Sequence, residues 1–518
     1  MPTDGPGASD VPDADLATLA RGLAAVLGRL HEFLEPQSAN SLVAALGDHL
    51  GVDPTGLPVV THELPSYQLI DAQVSIDVWA AEPGRTMRVL GMSGAQRRFH
   101  PLSEILSGTV GPVGIGPVDY VDAADGPDST RSCVTFGLFL LDDGGQRSVA
   151  LLRGADTHGP MRAAMLELLA ADGAVSRAVL GELRRLAVRH SVLRGQVLAF
   201  GPGEGGEYGA LHFMARPELR RAELVLPEAT LAQIERHVVG IAEHAPRLRA
   251  AGQHLKRGVL LYGPPGTGKT HTIRYLLAQR PGVTAFVLSG QALAAIGQAC
   301  ALARTMQPSL VILEDVDLIA ADRSFGAMGP HPLLFEVLNQ IDGLGDDVDV
   351  TFVLTTNRVD ILERALAERP GRVDAAVEIA PPDAEGRARL LRLYGAALGV
   401  GDLDDAALAD AVAATEGKTA TYLREVVRRA ALVDAGRADD RPLRLDGATL
   451  AQAAAELLDD RAALTRSLLG GPDEPDAEPP LGPAGGFVGQ TMGPGMHAFM
   501  LRRFQRGPGG ATPFGDDG

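Results

Sequence analysis

The stretch GVLLYGPPGTGKT, residues 258–270, decides the fold. Its first five residues are apolar or aromatic and bounded by turn formers, as a buried strand requires. The next eight, Gly263, Pro264, Pro265, Gly266, Thr267, Gly268, Lys269 and Thr270, spell G-x-x-x-x-G-K-T, a phosphate-binding loop between strand and helix. The glycines let the backbone curl so that successive N–H groups point at phosphate oxygens. The helix that follows adds its positive end. Lys269 is placed to reach the β- and γ-phosphates of a nucleotide, and Thr270 to bind Mg²⁺ through its hydroxyl. His271, next on the helix, completes the candidate nucleotide-binding set. The chain has three lysines, Lys256, Lys269 and Lys418, among 47 basic residues, and the second stands where the loop requires lysine.

Composition sets the limits. A chain of 518 residues with 45% hydrophobic content is long enough for several domains with sizeable cores. Aromatic residues make up only 4%, so those cores are built from Ala, Leu and Val. The net charge of −18 repels phosphate backbones and makes nucleic acid an unfavoured partner. Two cysteines, Cys133 and Cys300, are too few for a disulfide framework and point to a reducing, cytoplasmic setting. The acidic N-terminus lacks the basic and apolar regions of a signal peptide, and no apolar run approaches the length of a membrane span.

Along the chain, residues 1–14 and 468–518 read as disordered, being rich in Pro, Gly and Asp. Within the second, the apolar and basic cluster 496–506 reads as a docking motif or a solvated tail. Residues 15–50 carry helical spacing broken at Pro36, a helix pair. Residues 60–215 read as an α+β N-terminal domain that binds a partner or substrate. In it, 75–79 and 148–152 alternate or follow a Gly-Gly turn as strands do, 133–141 is a buried strand, 161–189 is helical and 201–206 is an exposed loop. Residues 216–382 form an α/β unit opened by a helix over 228–250, with strands at 258–262, 284–288, 309–313, 350–355 and 376–380 alternating with helices, the pattern of a parallel sheet. Residues 383–467 read as a helical lid of four stretches: 383–398, 403–415, 419–436 and 446–467.

Three further stretches carry chemistry. LVILED, 310–315, is an apolar strand ending in Glu314 and Asp315; carboxylates at a strand tip serve a metal and an attacking water, or else exit into solvent. VTFVLTTN, 350–357, puts Asn357 at another strand tip, where an amide orients water or starts a turn. ERPGRVD, 368–374, places Arg369 and Arg372 three apart on a turn, able to reach an anion outside their own sheet or to sit on the surface. His31-Glu-Phe-Leu-Glu35 lacks the second histidine of a zinc protease, and no His/Cys cluster has metal-ligand spacing, so no attached protease is expected.

In this order these stretches resemble the AAA ATPase family. GVLLYGPPGTGKT at 258–270, LLFEVLNQIDGL at 333–344, TTNRVD at 355–360 and ERPGRVD at 368–374 carry the resemblance over 258–382, with the lid following to about 467. The resemblance implies a P-loop parallel sheet with a C-terminal helical lid. Gly263 through Thr270 match Walker A, Glu314 and Asp315 the Walker B acids (Glu314 with Thr270 toward the metal), Asn357 sensor 1, and Arg369 and Arg372 the arginine fingers that complete a neighbour's site. Asp342 matches a position facing that finger, and GKTAT, 417–421, the lid's approach to the nucleotide. A homo-oligomeric ring, most often a hexamer, hydrolysing ATP to remodel a protein partner is thereby implied. Two departures stand out. Walker B ends Glu-Asp rather than Asp-Glu, as in the branch similar to the mitochondrial complex-assembly ATPase, though without that branch's membrane helix. The pore motif would fall at Ala295-Ile-Gly297, where Ile296 replaces an aromatic and puts threading in question. Two other functions remain open on the residues: a nucleotide-gated scaffold with low turnover, and a nucleic-acid motor or loader.

Overall fold

A computed structural model describes residues 39–94, 97–109, 113–155, 163–202, 208–253, 255, 257–317, 339–340, 343, 348–358, 373–398, 405–436, 443 and 445–458. They fall into two units: the chain up to Ala124 with Thr130–Val192, and Leu193 onward with Asp125–Ser129.

The first unit is a seven-stranded antiparallel sheet of β1 (Val59–Leu64), β2 (Arg85–Met92), β3 (Ile115–Gly116), β4 (Asp119–Ala124), β5 (Thr130–Asp143), β6 (Gln146–Arg153) and β7 (Ala164–Ala170). The order is β1-β7-β6-β5-β2-β3, with β4 on β5. Strand alternation sends Leu138, Leu140, Val149 and Leu151 to one face, where they pack with Leu42, Leu46 and Leu50 of helix Ala39–Leu50. Phe139, Leu141, Ala150 and Leu152 face the other way, onto Ile76 and Trp79 of helix Leu69–Ala80 and Leu180 and Leu183 of helix Gly173–Arg189. Both faces are covered, which is why β5 and β6 read as continuous apolar runs rather than as alternating ones. Gly144 and Gly145, at φ 57° and 98°, make the tight turn between them, the positive-φ pair a two-residue hairpin needs.

The second unit contains the parallel sheet foreseen in the sequence. β10 (Arg257–Tyr262), β11 (Thr284–Ser289), β12 (Ser309–Glu314), β13 (Val350–Thr356) and β14 (Ala375–Glu378) lie in the order β14-β10-β13-β12-β11, all parallel. β8 (Val197–Pro202) adds parallel to β11, and β9 (Tyr208–Met214) closes the edge antiparallel to β8. Helices Lys269–Gln279 and Ile296–Thr305 follow β10 and β11. Helices Ala384–Ala397, Asp405–Ala414, Ala420–Ala435 and Gly447–Leu458 bury a separate core of Leu390, Leu391, Tyr422, Val426, Leu450 and Leu457, the lid. Arg216 joins the sheet edge to the first helix: its guanidinium donates to the carbonyls of Leu277, Arg280, Gly195 and Val283, two of them at that helix's negative end.

Several expectations are corrected. Ser75–Trp79 is helix, not strand, because Ala72, Ile76 and Trp79 share one buried stripe at helical spacing that five residues of alternation concealed. The span 161–189 opens with β7, paired on both sides; the helix starts at Gly173, where the Asp172 carboxylate accepts from the Ala174 N–H. The helix over 228–250 is broken by a π turn at Arg236–Gly240 into shorter pieces. A boundary at 215 is too late, since β8 and β9 hydrogen-bond into the second sheet; residues 201–202 of the expected loop belong to β8. The spans 1–38 and 468–518, with Asp342, Arg369, Arg372 and the cluster 496–506, lie outside the described residues. Among the described residues both cysteines are buried and neither forms a disulfide, and no helix is long and apolar enough to cross a membrane.

Candidate active site

Three adjacent parallel strands, β10, β13 and β12, bring the candidate residues together at their C-terminal ends, where ligands of open α/β sheets bind. Tyr262 pairs with Thr356 and Leu313 with Leu354, so Gly263, Asn357 and Glu314–Asp315 leave the sheet side by side.

The loop after β10 is shaped by its glycines. Gly263 has φ 145°, and a Cβ there would lie 2.3 Å from the Ile379 carbonyl oxygen, a backbone atom that cannot give way. Gly266, at φ 81°, turns its carbonyl to the lid, accepting from the Thr421 N–H at 3.1 Å and from its hydroxyl at 3.2 Å. Gly268, at φ 114°, starts helix Lys269–Gln279, its carbonyl accepting from the N–H and hydroxyl of Thr272. Pro264 and Pro265 are exposed, whereas Thr267 is buried and donates to the Pro264 carbonyl at 3.0 Å. Lys269 folds back over the loop, its Nζ donating to the carbonyls of Gly263 at 2.7 Å and Pro264 at 2.9 Å. Burial lowers this ammonium to about 8, although the carboxylates of Asp315 and Asp317 favour its charged form. An ammonium in that state gains from a phosphate anion, so the loop fits a polyphosphate.

Opposite the loop, Glu314 is buried at the end of β12, and Asp315 follows in the left-handed conformation, at φ 50°. The Asp315 N–H donates to the Thr355 hydroxyl at 2.9 Å, and Asn357 Nδ2 donates to Asp315 Oδ1 at 3.3 Å. The acid and amide picked from separate stretches of sequence therefore meet. Asp317 was not foreseen: buried, it accepts from the Thr356 hydroxyl at 2.9 Å and the Asn357 N–H at 3.1 Å, tying the β12 exit to the β13 exit. Its only trace in the sequence is an acid two residues past Asp315, ordinary for a solvated turn. Thr270 sits half-buried in the first turn of its helix. Together with Glu314 it supplies the hard oxygen donors suited to Mg²⁺, an ion that keeps water and phosphate as its remaining ligands. His271 points elsewhere: Nε2–H donates to the Glu223 carbonyl at 3.2 Å, and burial pushes the imidazole below its ordinary range. It anchors the segment before the ATPase sheet to the helix. Ile296, at the position of the expected pore motif, is buried at the start of its helix.

Known proteins bear on this site. Residues 259–381 match the model of the ATPase family associated with various cellular activities (AAA). The chain is 30% identical over 279 residues to the ATP-dependent zinc metalloprotease FtsH of Mycobacterium leprae, covering 50% of this chain and 35% of that protein. To FtsH 4 of Sphaerobacter thermophilus it is 29% identical over 344 residues, 62% of this chain and 50% of the relative. To the proteasome-activating nucleotidase of Methanosphaerula palustris it is 33% identical over 196 residues, 36% of this chain and 47% of the relative. The chain thus spans no more than about half the length of these curated relatives. The residues that match this family model contain the glycine loop, both strand-tip acids and the asparagine.

Proposed function

We propose that this protein binds Mg²⁺-ATP in the loop Gly263–Thr270, hydrolyses it, and uses the turnover to remodel a protein partner as a ring-forming homo-oligomer. The observation that carries this reading is the convergence of Lys269, Asp315 and Asn357 at the tips of three neighbouring strands beside a loop built for phosphate. Lys269 exchanges the Gly263 and Pro264 carbonyls for phosphate oxygens. Thr270 and Glu314 hold Mg²⁺, which neutralises charge on the phosphates when bound. Asp315 accepts the proton of the attacking water while Asn357 orients it. The water oxygen bonds to the γ-phosphorus as the bond to the ADP oxygen breaks. Arg369 and Arg372, from a neighbouring copy in a hexamer-like ring, stabilise the charge of the transition state.

The partner is a protein bound by the antiparallel unit ending at Val192, in the cytoplasm. Buried Ile296 offers nothing to grip an extended chain, which favours remodelling without threading over the unfolding of whole substrates. Phosphate release from Mg²⁺-ATP, followed across protein concentration beside Lys269→Ala and Arg372→Ala, tests the reading. Turnover that rises cooperatively with concentration and falls in both variants is the expected result. Nucleotide-dependent assembly without phosphate release in the wild type would replace it with the nucleotide-gated scaffold.

A further inference from the structure

Asp315 combines two unusual features. Its carboxylate accepts from the side-chain amide of Asn357, yet as an aspartate it carries that carboxylate about one methylene nearer the backbone than glutamate would. It is also the one non-glycine residue with positive φ among the described residues, at 50°. That region is sterically costly for most side chains and is entered mainly by Gly, Asn and Asp. Strain of this kind persists only when neighbours hold it. Here they are visible. The β12–β13 ladder runs in register to Leu313↔Leu354. Beyond it the two strands stay joined: the Asp315 N–H donates to the Thr355 hydroxyl at 2.9 Å, and the Val316 N–H to the Thr355 carbonyl at 3.0 Å. Thr355 is buried, so its hydroxyl has little water to turn to. Asn357 Nδ2 then meets the carboxylate at 3.3 Å.

We propose that Thr355 is a positioning residue that holds Asp315 in the left-handed conformation, and that this backbone turn stands in for the missing side-chain length of a glutamate. The proposal rests on the ATPase reading above. It makes Asp315 the acid fitted to this backbone: a longer acid there loses either the turn or the Thr355 bond.

The test compares Thr355→Val, which keeps the branched shape without the hydroxyl, Thr355→Ser, which keeps the hydroxyl, and Asp315→Glu. Each is followed by kcat and KM for Mg²⁺-ATP and by hydrogen exchange of the 314–317 amides without nucleotide. In Thr355→Val the account expects faster exchange at Asp315, kcat lower by about 10- to 100-fold, and KM within about twofold of wild type. Thr355→Ser should stay near wild type in all three, and Asp315→Glu should lower kcat. Unchanged Asp315 exchange in Thr355→Val, or an Asp315→Glu enzyme faster than wild type, would overturn the proposal while leaving the ATPase reading intact. Should Thr355→Val fail to fold, Asp315→Glu still decides. Wild-type turnover no greater than that of Lys269→Ala would remove the ATPase reading, and this proposal with it.

Discussion

The two units handle buried charge in opposite ways. In the antiparallel unit, Arg153 and Glu167 are almost wholly buried and meet at 3.0 Å. The Arg153 guanidinium also donates to the carbonyls of Arg98 and His100, and Glu167 accepts from the Leu102 N–H. Burial moves both groups toward neutrality, Arg153 down and Glu167 up, and each restrains the other. This charge is spent on structure, pinning the segment 98–102 against β6 and β7. In the ATPase unit, Lys269 bonds only to loop carbonyls a few residues away, and the acids lie across the cleft at strand tips. The backbone around them runs at positive φ at Gly263, Gly266 and Gly268, where glycine fits, and at Asp315, where a side chain makes it costly. Closed charge stabilises a fold. Charge held against its own preference is what a ligand can relax.

The sharpest way to break this contrast is to remove one partner on each side. Glu167→Ala leaves Arg153 buried without its counter-ion and should destabilise the first unit by about 3–5 kcal/mol in denaturant unfolding. A loss under about 1 kcal/mol would mean the pair is not the anchor described. Lys269→Ala should not destabilise the fold, since it removes a buried ammonium, yet should lower phosphate release by at least about 10²-fold, or ~2.7 kcal/mol of transition-state stabilisation.

A smaller effect follows from the state of Lys269. Its ligand-free value of about 8 lies below the ordinary 10.5. Phosphate binds the charged form, so affinity for an ATP analogue should be flat below pH 8. Above it, affinity should weaken by up to about tenfold per pH unit, as each binding event must first restore the proton. Lys269→Ala should show no such bend. In folding the sign is reversed: the unfolded chain holds the proton more tightly, so the penalty from this lysine is complete below about pH 8 and is relieved as pH rises toward 10.5. The smallest effect belongs to the lid contact. Thr421→Val removes the hydroxyl bond to the Gly266 carbonyl but not the N–H bond, and should cost about 0.5–1.5 kcal/mol. It is read best as faster amide exchange at the start of helix Ala420–Ala435.

The contrast also explains what could be read from the sequence. The strands β10 to β14 are apolar runs because a parallel sheet buries both faces, and their ends fall close to those expected from the pattern. The glycine loop is legible because φ values of 81° and 114° admit few residues but glycine. Arg153–Glu167, fourteen residues apart, and Arg216 with its four carbonyls are non-local and leave no local pattern. Asp317 is hidden for the same reason: its partners Thr356 and Asn357 arrive from another strand. Ser75–Trp79 hides its helix because five residues span less than two helical turns, too few to separate the two periods.

Thermal unfolding with and without Mg²⁺-ATP, for wild type and Lys269→Ala, tests the central claim most directly, because a ligand that binds only the folded state raises Tm by mass action. The account predicts an ATP-dependent rise in the wild type that is lost or sharply reduced in Lys269→Ala, whose Tm without nucleotide is no lower than that of the parent. No rise in the wild type, or the same rise in both proteins, would contradict the assignment of these strand tips as a nucleotide site.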